Sequence, residues 1–239
     1  MSKDDFDVDE LADYLHLTPA QIVKMASRDR LPGRRVGSEW RFPRAEIHHW
    51  LEDRIGASDE DLVHAEQVIQ KQDKKEGDSE TDVSMERLLH PDAIIVPLEA
   101  RTRTSVISAI CKHCADIGLI WEPEKMAEAI RQRENLHSTA LDNGVALLHP
   151  RRPMPNIIGE PFLALGRTHG GIPFGGPRGQ STDIFFLIAS VDDKGHLRAL
   201  ARLSRLIAKP ELVAAIRTAE TAAEIYQLII DLDRATFSN

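Results

Sequence analysis

Between Arg133 and His149 the chain gathers side chains that could move a charged group. Arg133-Glu134-Asn135-Leu136-His137-Ser138-Thr139 supplies an arginine and two adjacent hydroxyls, and Asn143-Gly144 follows after three residues. Val145-Ala146-Leu147-Leu148 is then wholly apolar, and His149 comes directly after it. Asn and Gly both tolerate positive φ, so the pair predicts a turn. The apolar run predicts a buried strand that holds His149 rigidly at its end. Pro150 and Pro153 stop that strand, while Arg151 and Arg152 put positive charge beside the imidazole. A neutral imidazole nitrogen among cations and hydroxyl donors suits in-line acceptance and onward transfer of a phosphoryl group.

This run resembles the active-site signature of the enzyme IIA components of the bacterial phosphoenolpyruvate-dependent sugar phosphotransferase system, of the fructose/mannitol and nitrogen-regulatory type. That signature reads roughly R-E-x-x-G-S-T-x-x-x-x-G-x-A-x-P-H, and the resemblance extends over about residues 84–235. It implies that His149 is the phosphoacceptor, through a phosphohistidine intermediate, that Arg133 is the arginine of the site, and that no cofactor is needed. Ser138, Thr139 and Arg151 are the further candidates for holding phosphoryl oxygens. Two positions depart from the signature: His137 stands where it has glycine, and Leu148 where it has proline. Neither change removes a group that does chemistry, though either could alter loop shape and the choice of partner.

A second histidine opens Gly195-His196-Leu197-Arg198-Ala199-Leu200-Ala201-Arg202-Leu203. The segment is similar to the family's H-L-x-x-L-A-x-L, which implies that His196 is the second active-site histidine. Physics offers an independent reason, since free N–H groups and the positive end of the helix dipole favour an anion at a helix N-terminus. An ordinary surface histidine at a helix start is the alternative. His137 and His169 are weaker candidates. His137 only precedes the hydroxyl pair, and His169 lies in the Gly/Pro-rich stretch from Thr168 to Pro177, which the resemblance places near the site but which lacks a P-loop pattern and reads as a plain loop.

The elements that position these groups belong to an α/β fold, a mixed sheet covered by helices. Ala93 to Leu98 predicts a buried strand, and Arg103 to Cys114 a helix. Pro123 opens a helix that ends near Arg133. Ile157-Ile158 with Phe162 to Leu165 reads as a strand, and Thr182 to Val191 as a central one, apolar on both faces. Gly195 to Ala208 is amphipathic, with Leu197, Leu200, Leu203 and Ile207 inward and Arg198, Arg202 and Arg205 outward. Helices near 211–219 and 222–232 close the chain.

The first 55 residues read differently, as a small, mainly helical unit. Asp7 and Glu10 have capping-box spacing before Leu11, Ala12 and Leu15. Thr18-Pro19-Ala20-Gln21 is a second helix start, and two short helices joined this tightly form a helix-turn-helix. The second helix, about Pro19 to Arg28, exposes Gln21, Lys24 and Arg28 around buried Ile22, Val23 and Met25. Leu31 to Phe42 predicts a hairpin turning at Gly37-Ser38, and Pro43 opens a helix with Ile47, Trp50 and Leu51 inward. The order L-P-G-R-R-V-G, W-R-F and a final W-L resembles excisionase-type winged helix-turn-helix domains related to the MerR family, over about residues 7–54. The resemblance implies that the second helix enters the major groove of double-stranded DNA and that the Arg-rich wing contacts the backbone. Gln21 and Lys24 are then the candidates to reach base edges, Arg34, Arg35 and Arg41 set affinity without setting sequence, and Arg28 is a further candidate DNA contact. A protein-docking winged helix with a solvated basic face is the alternative.

Residues 56–83 predict a short helix followed by a polar linker, since Lys71 to Glu80 contains no apolar side chain. The expected division is therefore 1–55, a linker over 56–83, and 84–239. Net charge is −8 over 239 residues, which by itself argues against nucleic acid. Yet Lys24 to Arg44 holds seven basic residues against two acidic ones, a local balance of +5. The polar, acidic start predicts no signal peptide, hence a cytoplasmic protein with no membrane insertion. The two cysteines, Cys111 and Cys114, read as small residues on a helix rather than as a redox pair or metal site, and no metal is expected.

Two functional readings follow. In the first, a regulator, a DNA-binding head is joined to a domain that takes a phosphoryl group from the histidine-containing phosphocarrier protein and so modulates DNA binding, and the head works on paired half-sites as a homodimer. In the second, the domain passes the group on to a sugar permease component, and the head only docks on a protein.

Overall fold

The computed structural model describes residues 5–15, 17–55 and 84–237, so the short helix and linker expected over 56–83 lie outside the described residues. The chain divides into two compact units, Met1–Thr81 and Asp82–Asn239.

In the first unit β1 (Asp5–Phe6) precedes α1 (Val8–Leu15) and α2 (Pro19–Ala26), and the β2 (Arg34–Val36) and β3 (Glu39–Pro43) hairpin leads into α3 (Arg44–Ile55). The first two helix starts have local causes. Asp7 and Glu10 exchange side-chain and backbone hydrogen bonds of 3.0 and 2.8 Å, and Thr18 and Gln21 do the same for α2, where Pro19 fits the first helical position. Gly37, at φ +66°, turns the hairpin so that Val36 faces Glu39 and Arg34 faces Arg41. Phe6, Leu11, Leu15, Ile22, Phe42, Ile47 and Leu51 form the core. The indole N–H of Trp50 donates to the Arg30 carbonyl at 2.8 Å, which ties α3 to the chain just before the wing.

Two features of this unit differ from the sequence reading. Val23 is 37% exposed and Met25 half-buried, because Ile22 and Ala26 take the inward face of α2. β1, too short for any periodicity, pairs with β3 and makes the wing a three-stranded sheet.

The second unit runs α4 (Met85–Leu88), β4 (Leu89–Ile95), α5 (Arg103–Asp116), α6 (Pro123–Leu136), β5 (Val145–Leu148), β6 (Phe162–Pro173), β7 (Ser181–Ala189), α7 (Asp193–Ile207), α8 (Pro210–Thr218) and α9 (Ala222–Phe237). Its sheet has the order β4-β6-β7-β5, with β4 parallel to β6, β6 antiparallel to β7, and β7 parallel to β5. Alternation assigns the two faces. Ala146, Leu148, Phe185, Leu187 and Ala189 share one core with α5 and α6. Val145, Leu147, Ile184, Phe186 and Ile188 are equally buried on the other face, which leaves that side to α7–α9. Burial of β7 on both faces explains its unbroken apolar run.

Four expectations change here. The first strand ends at Ile95 and not Leu98, because Pro97 has no N–H to give a ladder. β6 continues to Pro173 through residues that read as loop: Ile172 and Pro173 pair with Thr182 and Ser181 beyond an irregularity after Arg167, so β7 supplies the order that the glycines lack. Ile157 and Ile158 are 1% exposed yet form no strand; packing alone keeps them inside. Arg198, expected outside, is 7% exposed.

Asp233 on α9 binds the unit's two ends together. It is 2% exposed and accepts from Arg202 Nε at 2.6 Å, Arg202 Nη2 at 2.9 Å and the Met85 N–H at 3.0 Å. Removing one partner of a buried pair strands the other, so Asp233→Ala is expected to lower stability by about 3 kcal/mol. Urea unfolding followed by circular dichroism measures it.

Candidate functional site

His149 and His196 come together at the carboxyl ends of two parallel strands. β5 pairs in register with β7, Leu148 opposite Leu187, so the residues after both strands emerge at one edge of the sheet. His149 follows β5 directly, and His196 sits in the first turn of α7, a few residues after β7. Their ring centroids are 5.0 Å apart with planes tilted by 49°. His149 is 2% and His196 5% exposed, and Nε2 of each ring is out of contact with solvent.

The backbone sets the tautomer of His149. Its Nδ1 lies 2.8 Å from the Leu147 carbonyl, which can only accept, so Nδ1 carries the proton. In the neutral ring Nε2 then holds the lone pair. His196 Nδ1 lies 3.4 Å from the Ser190 hydroxyl. Asp192 caps α7 by accepting from the Gly195 N–H at 2.7 Å, so His196 stands among N–H groups at the positive end of a helix.

The connection from α6 to β5 wraps the same edge. Leu147 N–H donates to the Thr139 carbonyl at 3.4 Å, and Ala140 bridges to Ala146, which lays Ser138 and Thr139 alongside the strand that ends at His149. Arg133 is 3% exposed, in the last turn of α6, and donates from Nη1 to the His137 carbonyl at 2.7 Å. Ser138 Oγ donates to the Phe174 carbonyl at 2.7 Å. Thr139 donates through Oγ1 to Glu134, whose carboxylate also faces the Thr139 N–H. Both hydroxyls thus hold the loop together in this structure. Arg151 and Arg152 are exposed, as are His137 and His169. Gly175, at φ +90°, brings the chain after β6 against Ser138, where a Cβ would lie 3.0 Å from Ser138 Cβ.

Sequence reasoning missed two members of this arrangement. Glu134 stands in the motif but received no role; its side chain is fully buried and Arg103 Nη2 pairs with it at 3.0 Å. Arg103 also covers the Phe174 ring, 5.3 Å from its centroid. No sequence signal links Arg103 to Glu134, because the two are 31 residues apart and meet only through the packing of α5 on α6. Arg198, like Arg133, is buried, and desolvation holds its guanidinium below the usual arginine range.

On the first unit, α2 stops at Ala26 and not at Arg28; Gln21 and Lys24 on the helix and Arg28 in the turn after it are exposed and line a surface hollow with Met25 and Arg30. The Gln21 amide oxygen accepts from the Thr18 N–H at 2.8 Å, which leaves its NH₂ outward. Arg34 pairs with Asp5 at 3.0 Å, Arg41 pairs with Glu39 at 2.6 Å, and Arg35 lies over the Trp40 ring.

Residues 87–231 match the family model of the phosphoenolpyruvate-dependent sugar phosphotransferase system, EIIA 2. The chain belongs to this family. Residues 6–55 match a helix-turn-helix domain model. Relatives of the EIIA unit include a nitrogen regulatory protein of Bradyrhizobium diazoefficiens, 30% identical over 145 residues, which are 59% of this chain and 92% of the relative. A fructose-specific EIIABC component of Bacillus subtilis is 28% identical over 62% of this chain, but the match covers only 23% of that protein. Among solved structures, the nitrogen regulatory protein IIA-Ntr of Neisseria meningitidis superposes with TM-score 0.53 at 20% identity, over 60% of this chain and 97% of that one. IIA mannitol of Escherichia coli gives TM-score 0.52 at 18% identity, over 59% and 97%. At these identities the two structures show the fold alone. No helix among the described residues is long and apolar enough to cross a membrane.

Cys111 and Cys114 are buried on α5, and among the described residues no three His, Cys, Asp or Glu side chains gather as a metal site requires. Burial pushes the Cys111 thiol up to about 12, against an opposing pull from Arg131, and pushes Cys114 up as well. The fold accepts the protonated thiols, so their contribution is complete below the unfolded value of roughly 8.5 and is lost as pH climbs toward the folded one. At pH 8 iodoacetamide is expected to leave both cysteines of the folded EIIA unit intact and to label both once urea unfolds it. Intact mass reads the difference.

Proposed function

We propose that the EIIA unit takes a phosphoryl group on Nε2 of His149 from the histidine-containing phosphocarrier protein, and that this modulates DNA binding by the helix-turn-helix head. The observation that carries the reading is the His149–His196 pair with Nδ1 of His149 held on the Leu147 carbonyl. That hydrogen bond leaves Nε2 as the nucleophile and keeps the ring from turning. In the transfer, the donor's N–P bond breaks as the Nε2–P bond forms, and the donor imidazole leaves with the electron pair. Nδ1 keeps its proton, and the Leu147 carbonyl that accepts from it stabilises the positive charge that grows on the ring. His196, at a helix N-terminus, faces the incoming oxygens, and Arg133 lends fixed positive charge to the loop beside them. Because Nε2 is covered, donor docking has to part the cover over the pair.

For the head, the reading rests on the cations of α2 and the wing. Lys24 lies beside Gln21 on the exposed side of the helix that would enter the major groove, and Arg28 follows in the turn after it. Arg34, Arg35 and Arg41 stand on the wing, where they set affinity rather than sequence. One observation favours the second reading, a phosphocarrier for a sugar permease with a protein-docking head: Arg34 and Arg41 already have carboxylate partners. Exposed ion pairs of this kind are worth under about 1 kcal/mol, so phosphates can displace them.

Incubation with phosphoenolpyruvate, enzyme I and the phosphocarrier protein is expected to add one phosphoryl group to the wild type, read by intact mass. His149→Ala should take none, while Arg133→Ala and His196→Ala should label slowly. Equal labelling of His149→Ala removes the assignment. Separately, the full chain should bind duplex DNA with an affinity that falls steeply with salt, and Arg34→Ala with Arg35→Ala should reduce both the affinity and the salt slope. Binding untouched by that double change turns the head into a docking module.

A further inference from the structure

α2 shows solvent two unlike edges. Gln21 and Lys24, with Arg28 in the turn after the helix, are polar; Ala20, Val23 and the cap residue Ser27 recur at i, i+3 and i+7 and are small or apolar. All six are exposed, and Ser27, though it caps the helix, keeps αR geometry, so the second edge runs unbroken to the end of the turn. Val23 is the large apolar member, 37% exposed where periodicity would have buried it. Its neighbours along the edge, Ala20 and Ser27, are too short to shield it.

We propose that Val23 reads sequence directly, by packing its methyl groups against the C5-methyl of a thymine in the major groove. The inference rests on the reading of the head as a DNA-binding module and names one base that it selects. Thymine alone of the four bases presents a methyl group on the major-groove edge, so an apolar side chain there discriminates without any hydrogen bond. Valine suits the contact because its β-branch restricts χ1, and little side-chain freedom is lost when it is fixed against a base. The charges around it specify the partner's class. Lys24 adjoins Val23 in sequence, and Arg28 and Arg30 share a hollow with Gln21 and Lys24; a phosphate backbone fits that setting better than an apolar protein groove, which would call for a wider apolar surface than one valine between an alanine and a serine. α2 would then read two adjacent columns of bases, one through the outward NH₂ of Gln21 and the charge of Lys24, the other through Val23.

The test uses the full chain. The best-bound duplex is selected from a random pool, and each thymine in it is replaced singly by deoxyuridine, which pairs identically but lacks the methyl group. The wild type is expected to lose about fourfold in affinity at one position per half-site, the effect of one methyl group withdrawn from an apolar contact. In Val23→Ala the same replacement should cost less than half of that, while penalties at the other thymines stay as they were. Val23→Ile, which keeps the β-branch and lengthens the apolar reach, should preserve the discrimination. If deoxyuridine costs the wild type and Val23→Ala the same at every position, Val23 is no base reader, although the head still binds DNA. If no duplex is enriched from the pool, the inference falls together with the DNA-binding reading.

Discussion

A buried imidazole can react at one nitrogen only if something holds the proton on the other. In this chain the Leu147 carbonyl does so, 2.8 Å from His149 Nδ1. Leu147 belongs to β5, whose position is set by its parallel register with β7, so the orientation of the ring depends on the sheet itself. The same register brings in the second histidine. Parallel strands finish at a common edge, and in α/β sheets that carboxyl edge is where ligands collect, because loops and helix N-termini converge there. β7 leads through Ser190 and the Asp192 cap into α7, whose first turn places His196 with its ring centroid 5.0 Å from that of His149.

Much of this was legible in the sequence, for a physical reason. β5 is an unbroken apolar run between an Asn-Gly turn and a proline, so its limits, Val145–Leu148, follow from local chemistry. The start of α2 is equally local, a Thr–Gln capping box with proline inside it. What stayed hidden depends on contacts between distant segments. β6 reaches Pro173 only because β7 lies beside it to accept its ladder. Arg198 reads as an outward residue on a helical wheel, yet helices cover enough of α7 to bury it. Glu134 could be seen in the motif, but its work could not. It takes the Thr139 hydroxyl and the Arg103 guanidinium together, and thereby ties α5, the end of α6 and the loop before β5 into one piece.

The first unit carries its charge in a different way. Its cations on α2 and the turn after it, Lys24 and Arg28, are exposed, whereas those on the wing are half-committed to Asp5, Glu39 and the Trp40 face. Such pairing holds the wing arginines near one conformation without discharging them, so ordering them on a phosphate backbone costs less side-chain entropy than it would from a free rotamer ensemble. A phosphohistidine in the second unit, its ring still protonated at Nδ1, would add net negative charge to a chain already at −8. That added charge, or a change in the cover over the histidine pair, is the physical input by which phosphorylation could reach the head.

The central claim of this account is that the phosphoryl state of His149 and the DNA affinity of the head are linked. Linkage is a free energy shared between the two events and is read as a ratio of affinities. The direct measurement is the dissociation constant of the full chain for its selected duplex, before and after phosphorylation, at one fixed salt concentration. The account predicts a change of about fivefold or more between the two states, and no change when His149→Ala is taken through the same treatment. Equal affinities in the phosphorylated and unphosphorylated wild type would contradict it.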